Sequence, residues 1–180
     1  MWIWLARGLS GAAMAAILYA GHLAYERQAL WTLQDKAEVI ARTWQHHFVA
    51  TVPDYPQLIA SGRPTPDQKA ALEQRAVLAE VFRYKLFDAQ GRVTYLSDGA
   101  GATVAGTSAG ATPDPEALVI LRSGVPLVMI EDGTAKPDRP AAYAEVYLPV
   151  RDGPRSVGAF EIYIDMTTEV AALRASFARF

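Results

Sequence analysis

Apolar residues recur at helical spacing over the stretch from Glu26 to Pro53. Successive apolar positions are three and four residues apart, and Phe48 widens the resulting stripe. This heptad-like spacing predicts a long amphipathic helix over residues 26–53 that ends at Pro53. The stripe fits a helix that lies on a sheet, and equally a helix that pairs with its copy in a homodimer. Its positions are Leu30, Leu33, Ala37, Ile40, Trp44, His47 and Thr51.

Five later stretches alternate between apolar and polar residues, as strands with one buried face do. Turns at Asp88–Gly91 and Asp152–Pro154 join neighbouring stretches, so these strands form hairpins and the sheet is largely antiparallel. The pattern predicts an α+β fold in which the long helix packs on a five-stranded sheet. The strands are predicted near residues 81–87, 92–97, 125–133, 142–153 and 155–165, and further helices over 64–79, 115–123 and 166–180.

The alternation assigns one set of strand residues to the core beneath the long helix. We expect Phe82, Leu86, Val146, Phe160, Ile162 and Ile164 to be nearly buried in a single core, together with Tyr84, Ala144 and Leu148.

The opposite set of strand residues mixes tyrosines with charges, which is unusual for a purely solvated face. One interpretation is the wall of a ligand-binding pocket, in which an anionic ligand is favoured over a cation and the stretch from Gly99 to Gly110 acts as a lid. The other is an exposed surface with cross-strand ion pairs, for instance between Arg83 and Glu145. The residues concerned are Arg83, Lys85, Tyr143, Glu145, Tyr147, Glu161 and Tyr163.

The first residues predict a membrane anchor. Between Arg7 and Glu26 lie 18 residues without a charge, close to the length that spans a bilayer. We expect residues 1–25 to form an uncleaved transmembrane anchor with a cytoplasmic N-terminus; a cleaved signal peptide and a buried helix are the alternatives.

Composition and motifs exclude several classes of function. The net charge of −2 gives no electrostatic reason to expect nucleic acid as a partner, and the absence of cysteine excludes disulfides and thiol catalysis. The "GTSAG" at 106–110 lacks the flanking strand and helix of a nucleophile elbow, and all histidines precede its serine. Adjacent His46 and His47 point about 100° apart on a helix. We therefore predict no catalytic residue, no metal site and no cofactor.

The segment "AYAEVYLPVRDGPRSVGAFEIYIDMT" resembles the end of extracytoplasmic PAS-like sensors, of the PDC or Cache type, in bacterial transmembrane signalling proteins. "YKLFDAQGRVTYLSD" resembles the hairpin of the same sensors. The resemblance covers most of residues 80–168 and the helix–sheet–helix plan, and it assigns no binding residue. It implies a PAS-like sensor domain over 54–165. It also implies that residues 166–180 form a connector helix leading to a second membrane span and an output domain.

These observations predict the periplasmic sensor of an inner-membrane receptor, either a cyclic-di-GMP enzyme or a histidine kinase. Its partners would be a small, anionic ligand or a periplasmic protein, and a second copy of the chain. The output enzyme would lie outside this chain. The alternative is a membrane-anchored structural or assembly protein that binds no small molecule.

Overall fold

The chain forms an α+β fold, as the pattern predicts, in which helices and the strands of one antiparallel sheet follow one another. The structure is a computed structural model that describes the backbone of residues 2–73, 80–98, 102–103 and 112–177, and the side chains of 27–73, 80–97 and 112–176. The helices are α1 (Trp2–Thr51), α2 (Tyr55–Ser61), α3 (Pro66–Glu73), α4 (Pro115–Ser123) and α5 (Thr167–Phe177). The strands are β1 (Val81–Phe87), β2 (Val93–Asp98), β3 (Ala102–Thr103), β4 (Leu127–Asp132), β5 (Ala142–Asp152) and β6 (Arg155–Asp165).

The sheet has the order β3-β2-β1-β6-β5-β4, and every neighbouring pair is antiparallel. The five predicted strands are therefore confirmed, with the two-residue β3 added at one edge. The last two strands are the longest and lie side by side near the middle of the sheet. Residues 159–164 of β6 are thus flanked by β1 on one side and by β5 on the other.

The main core lies between α1 and one face of the sheet. Leu86, Val146, Phe160, Ile162 and Ile164 are fully buried in it, as predicted. Trp44 and Phe48 of α1 pack their rings against Phe160.

The apolar stripe of α1 differs from the prediction at its ends. Leu30, His47 and Thr51 are exposed. The buried line runs instead through Leu33, Ala37, Ala41, Trp44, Phe48 and Val52. A helix has 3.6 residues per turn, so a strict repeat of seven drifts around its surface. The predicted stripe therefore leaves the sheet at both ends of the described segment.

Phe82 was assigned to this core, and that assignment is wrong. Val81 pairs with Ile164 and Arg83 pairs with Tyr163, so β1 carries one extra residue between two successive partners on β6. Such a β-bulge interrupts the alternation of faces. Phe82 consequently lies on the opposite face, with its ring 5.9 Å from that of Tyr163.

A smaller apolar cluster covers part of that opposite face. Helix α4 places Ala117 and Ile120 against Phe87, Tyr147 and Ala159. The helix begins where the Asp114 carboxylate accepts a hydrogen bond from the Ala117 amide, at 2.9 Å. It ends at Gly124, whose φ of 69° suits glycine. Both signals lie in the sequence, which is why this helix was predicted with correct bounds.

Several predicted segments fall outside the described residues. In the part of the chain that the structure describes, no helix is long and apolar enough to cross a membrane. The side chains of residues 1–26, where the anchor is predicted, are not within that part. The same holds for the end of the second predicted helix (74–79), for "GTSAG", and for almost all of the predicted lid from Gly99 to Gly110.

Candidate functional site

The seven predicted site residues lie on one face of three adjacent strands. Their side chains form two cross-strand rows. Arg83 of β1, Tyr163 of β6 and Glu145 of β5 are paired in one row. The other row consists of Lys85, Glu161 and Tyr147, and Tyr143 precedes Glu145 by two positions on β5. The alternation of faces therefore brings all seven to the same side of the sheet, as predicted.

Burial separates this face from an ordinary solvated surface. Tyr143, Glu161 and Tyr163 are at most 1% exposed, and Tyr147 is 4% exposed. Only the basic residues and Glu145 reach the surface in part. The expected ion pair between Arg83 and Glu145 does not form, because each has another partner: Arg83 pairs with Asp138, and Glu145 pairs with Arg139.

Glu161 is the buried charge at the centre of the face. Its Oε1 accepts a hydrogen bond from the Tyr163 hydroxyl. Its Oε2 lies 2.8 Å from Lys85 Nζ, but receives no hydrogen bond of good geometry. Burial raises the pKa of Glu161, and the charge of Lys85 opposes that increase. The carboxylate is thus held at a position where water does not reach it.

The tyrosine hydroxyls act as hydrogen-bonding groups on this face. Burial raises the pKa of Tyr163 and of Tyr147, and the charge of Glu161 raises both further. Both phenols therefore stay protonated at physiological pH. Tyr163 can donate a hydrogen bond, and neither phenol can serve as a base.

The loop between β4 and β5 adds basic residues that the sequence analysis missed. Arg139 Nη1 donates to the Tyr143 hydroxyl at 2.7 Å and to Glu145 Oε1 at 2.8 Å. Its guanidinium carbon is 4.9 Å from the ring centres of both Tyr143 and Tyr163. Lys136 Nζ donates to the same Tyr143 hydroxyl at 2.6 Å.

Backbone turns fix the position of this loop. Gly133 donates to the Ala141 carbonyl at 3.0 Å, and its own carbonyl accepts from the Lys136 amide at 2.8 Å. A Cβ atom on Gly133 would lie 1.8 Å from the Pro140 carbonyl oxygen, so no larger residue fits without moving the loop. The signal in the sequence was the basic content of "TAKPDRPA", which immediately precedes a strand rich in tyrosine.

An aromatic group lies beneath the basic residues. The rings of Tyr143 and Tyr163 are stacked with centres 6.2 Å apart. Phe82 meets both edge-on, at 6.1 and 5.9 Å. Its presence here follows from the bulge in β1, which the sequence pattern did not indicate.

Tyr147 lies on the predicted face of the sheet, but its surroundings differ from those of the other predicted site residues. It packs against Phe87, with a ring-centre distance of 6.1 Å, in the cluster under α4. Tyr147 therefore belongs to the apolar cluster beside the site and is not part of its centre. The residues brought together at its centre are Arg83, Lys85, Tyr143, Glu145, Glu161 and Tyr163, with Phe82, Lys136, Asp138 and Arg139 added by the structure.

The chemistry available to this group is recognition by charge, hydrogen bonding and aromatic contact. Among the described side chains, no cluster of histidine, cysteine and carboxylate ligands could hold a metal ion. A concave surface lies elsewhere on the molecule: an open groove of about 640 Å³ between α1 and β4 includes Trp31, Asp35, Glu38 and Pro126. The sequence pattern does not indicate this groove.

The chain matches no model of a known protein family, and no curated protein is significantly similar to it. Its class is therefore defined by the structure alone. It is an α+β protein whose antiparallel sheet buries an apolar core on one face and carries a cluster of tyrosines, cations and carboxylates on the other.

Proposed function

We propose that this chain is the extracytoplasmic sensor of a bacterial inner-membrane signalling receptor, a cyclic-di-GMP enzyme or a histidine kinase. It binds a small molecule on the face that carries Tyr143 and Tyr163, hereafter the tyrosine face. The observation that carries the proposal is the convergence of five other predicted residues around one buried carboxylate, Glu161. Buried ionisable groups are costly for stability, and their concentration in one place is typical of functional sites.

The helix–sheet–helix plan supports a role in transmission. Glu161 and Tyr163 lie on β6, and the same strand leads through buried Met166 directly into α5. The Thr167 amide donates to Asp165 Oδ1 at 2.8 Å and caps the start of that helix. A ligand that contacts Glu161 or Tyr163 therefore acts on β6, the strand that positions α5.

Helix α5 is also attached to α1. Lys36 Nζ donates to Glu169 Oε1 at 2.5 Å. Two arrangements of the domain would differ in how α5 sits against α1, and the ligand would favour the arrangement to which it binds more tightly. Helix displacements of about 1–2 Å are sufficient in comparable switches.

Ligand binding is tested by thermal unfolding of the full chain in detergent, with a library of small anions, cations and neutral metabolites. We expect at least one compound to raise the Tm. Arg83→Ala should abolish that increase and leave the ligand-free protein folded, because the side chain of its partner Asp138 is 58% exposed and ion pairs with an exposed partner contribute little to folding. Arg42→Ala is the matched control, since Arg42 pairs with Glu38 on α1, on the opposite side of the sheet.

Transmission is tested with spin labels at Val39→Cys and Ala175→Cys, both exposed positions in a chain without native cysteine. The compound should change this α1–α5 distance, and a control pair at Val39→Cys and Lys69→Cys, between α1 and α3, should stay constant. A compound that binds without changing the first distance would refute transmission through α5.

One observation favours the alternative of an anchored assembly protein without a small ligand. Trp31 is 72% exposed beside the groove between α1 and β4. An exposed tryptophan at a concave surface is typical of protein contacts. If no compound of any charge stabilises the chain, and Trp31→Ala weakens association with a partner protein, this alternative replaces the sensor.

A further inference from the structure

Two cations of the β4–β5 loop converge on one neutral oxygen. Lys136 Nζ and Arg139 Nη1 both donate to the Tyr143 hydroxyl, at 2.6 and 2.7 Å. A phenol oxygen can accept both hydrogen bonds, but it carries no charge to balance the donors. Two like charges so close to each other repel, and among the described residues Glu145, paired with Arg139, is the one carboxylate within 4 Å of either.

The carboxylates of this face leave one of these cations without a partner. Arg139 pairs with Glu145, Lys85 with Glu161, and Arg83 with Asp138. Lys136 makes no ion pair within 4 Å among the residues described. The carboxylates of Glu131 and Asp132 act on it only through charge, at distances beyond 4 Å. The hydrogen bond to Tyr143 raises the pKa of Lys136, so the ammonium keeps its charge at neutral pH.

We propose that Lys136 and Arg139 bind the carboxylate of a small organic monoanion, an assignment that rests on the ligand-sensing function proposed above. Arg139 engages its partners through Nη1 alone, so Nε and Nη2 are available to an added carboxylate in the forked geometry that guanidinium groups favour. Lys136 has two further N–H donors. The half-buried ring of Phe82, 6.1 Å from that of Tyr143, provides the adjacent apolar surface for the organic part.

The charge balance selects the ligand class. A cationic ligand would have to displace Arg139 or Lys85 from a carboxylate that is already paired. A phosphate dianion would bring more negative charge than the single unpaired ammonium of Lys136 can balance. A monocarboxylate matches that charge.

The test measures the Tm and the apparent affinity of the full chain in detergent against a panel of small monocarboxylates. Each acid is compared with the primary amide and the amine of the same carbon skeleton, and inorganic phosphate is included at equal ionic strength. We expect at least one acid to raise the Tm while its amide and amine do not. Lys136→Gln should weaken its binding about 10-fold or more, as loss of a hydrogen bond to a charged group does.

Two variants control for folding and for charge. Lys136→Arg keeps the cation and should retain most of the affinity. Lys69→Gln removes an exposed lysine of α3 and should bind like the original chain. Lys136 is itself partly exposed, so its glutamine variant should fold normally.

The outcomes separate the two proposals. If acid and amide stabilise equally, if an amine or phosphate binds best, or if Lys136→Gln binds as tightly as the original chain, the carboxylate assignment is wrong. A metabolite that depends on Arg83 but not on Lys136 would overturn this assignment and leave the sensor intact. If no compound of any charge stabilises the chain, both proposals fail.

Discussion

The hydrogen bond from Tyr163 to Glu161 should be among the strongest side-chain interactions on the tyrosine face. Both residues are 1% exposed, and the acceptor is a carboxylate that burial has removed from water. Hydrogen bonds to charged groups contribute about 1.5–3 kcal/mol to folding. Tyr163→Phe removes the hydroxyl and keeps the ring that stacks on Tyr143. We therefore expect a loss of about 1.5–3 kcal/mol in the free energy of unfolding.

A double-mutant cycle isolates this interaction. Glu161→Gln removes the charge, so Tyr163→Phe in that background should have a much smaller effect, and the coupling energy should also be about 1.5–3 kcal/mol. Tyr147→Phe is the matched control, because among the described residues the Tyr147 hydroxyl donates to no acceptor. Its cost should be about 0.5 kcal/mol or less.

The assay is urea unfolding near pH 7, followed by tryptophan fluorescence in one detergent for all variants. Trp44 is buried against Phe160 in the main core, so its emission reports the loss of tertiary structure. A coupling energy below about 0.5 kcal/mol, the level at which independent sites add, would refute the view that Tyr163 stabilises the buried charge.

The sign of the pH dependence provides a second check. The native pKa of Glu161 is raised from 4.5, so the folded protein binds this proton more tightly than the unfolded chain. Its contribution to stability is fully present below the unfolded pKa and is lost as pH rises through the native pKa. The stability of the original chain minus that of Glu161→Gln should therefore fall as the pH rises above 4.5, the ordinary pKa of this carboxyl group. A rising difference would mean that Lys85 and Tyr163 outweigh burial.

Three further predictions concern the core, the oligomer and the loop. Ile162→Ala should cost about 2–5 kcal/mol in urea unfolding because its side chain is fully buried, and exposed Val39→Ala should change stability by about 0.5 kcal/mol or less. Single cysteines along residues 26–44 should cross-link with a helical period in membranes if α1 pairs with its copy; a flat profile would contradict the homodimer. Gly133→Ala should displace the loop at Pro140 and abolish the ligand-induced increase in Tm, which an unchanged increase would contradict.

The strands and their faces could be predicted because the signals are local. Alternation over Phe160–Ile164 defines two faces directly, and Asp88–Gly91 forms a tight turn in any context, with the Gly91 amide donating to the Asp88 carbonyl at 2.9 Å. The predicted bounds of β1 are those of the structure. The same alternation placed six residues at the site's centre without any knowledge of strand order.

The structure differs from the prediction where the local conformation depends on residues that are distant in the sequence. The bulge at Phe82 is a property of the pairing between β1 and β6, which one strand's sequence does not contain. Helix α2 has seven residues and was not predicted. It follows Asp54, whose φ is 43°, and is held by the burial of Leu58 and Ile59. Arg139 reaches the site because a hairpin loop folds back over its own strand, and loop composition alone does not indicate this.

Strand β6 connects the two faces of the protein, and this sets the energy that a ligand must supply. Glu161 and Tyr163 face the site, while Ile162 packs beneath α1, so a shift of β6 changes both environments and the start of α5 together. Val170 and Leu173 of α5 pack against the main core, and Lys36 and Glu169 add a partly exposed ion pair between α1 and α5; such pairs contribute about 0.2–1 kcal/mol. A ligand with micromolar affinity binds with about 8 kcal/mol. Even a small difference in its affinity for two arrangements of β6 would therefore exceed the strength of this contact, which makes α5 the element that we expect to move.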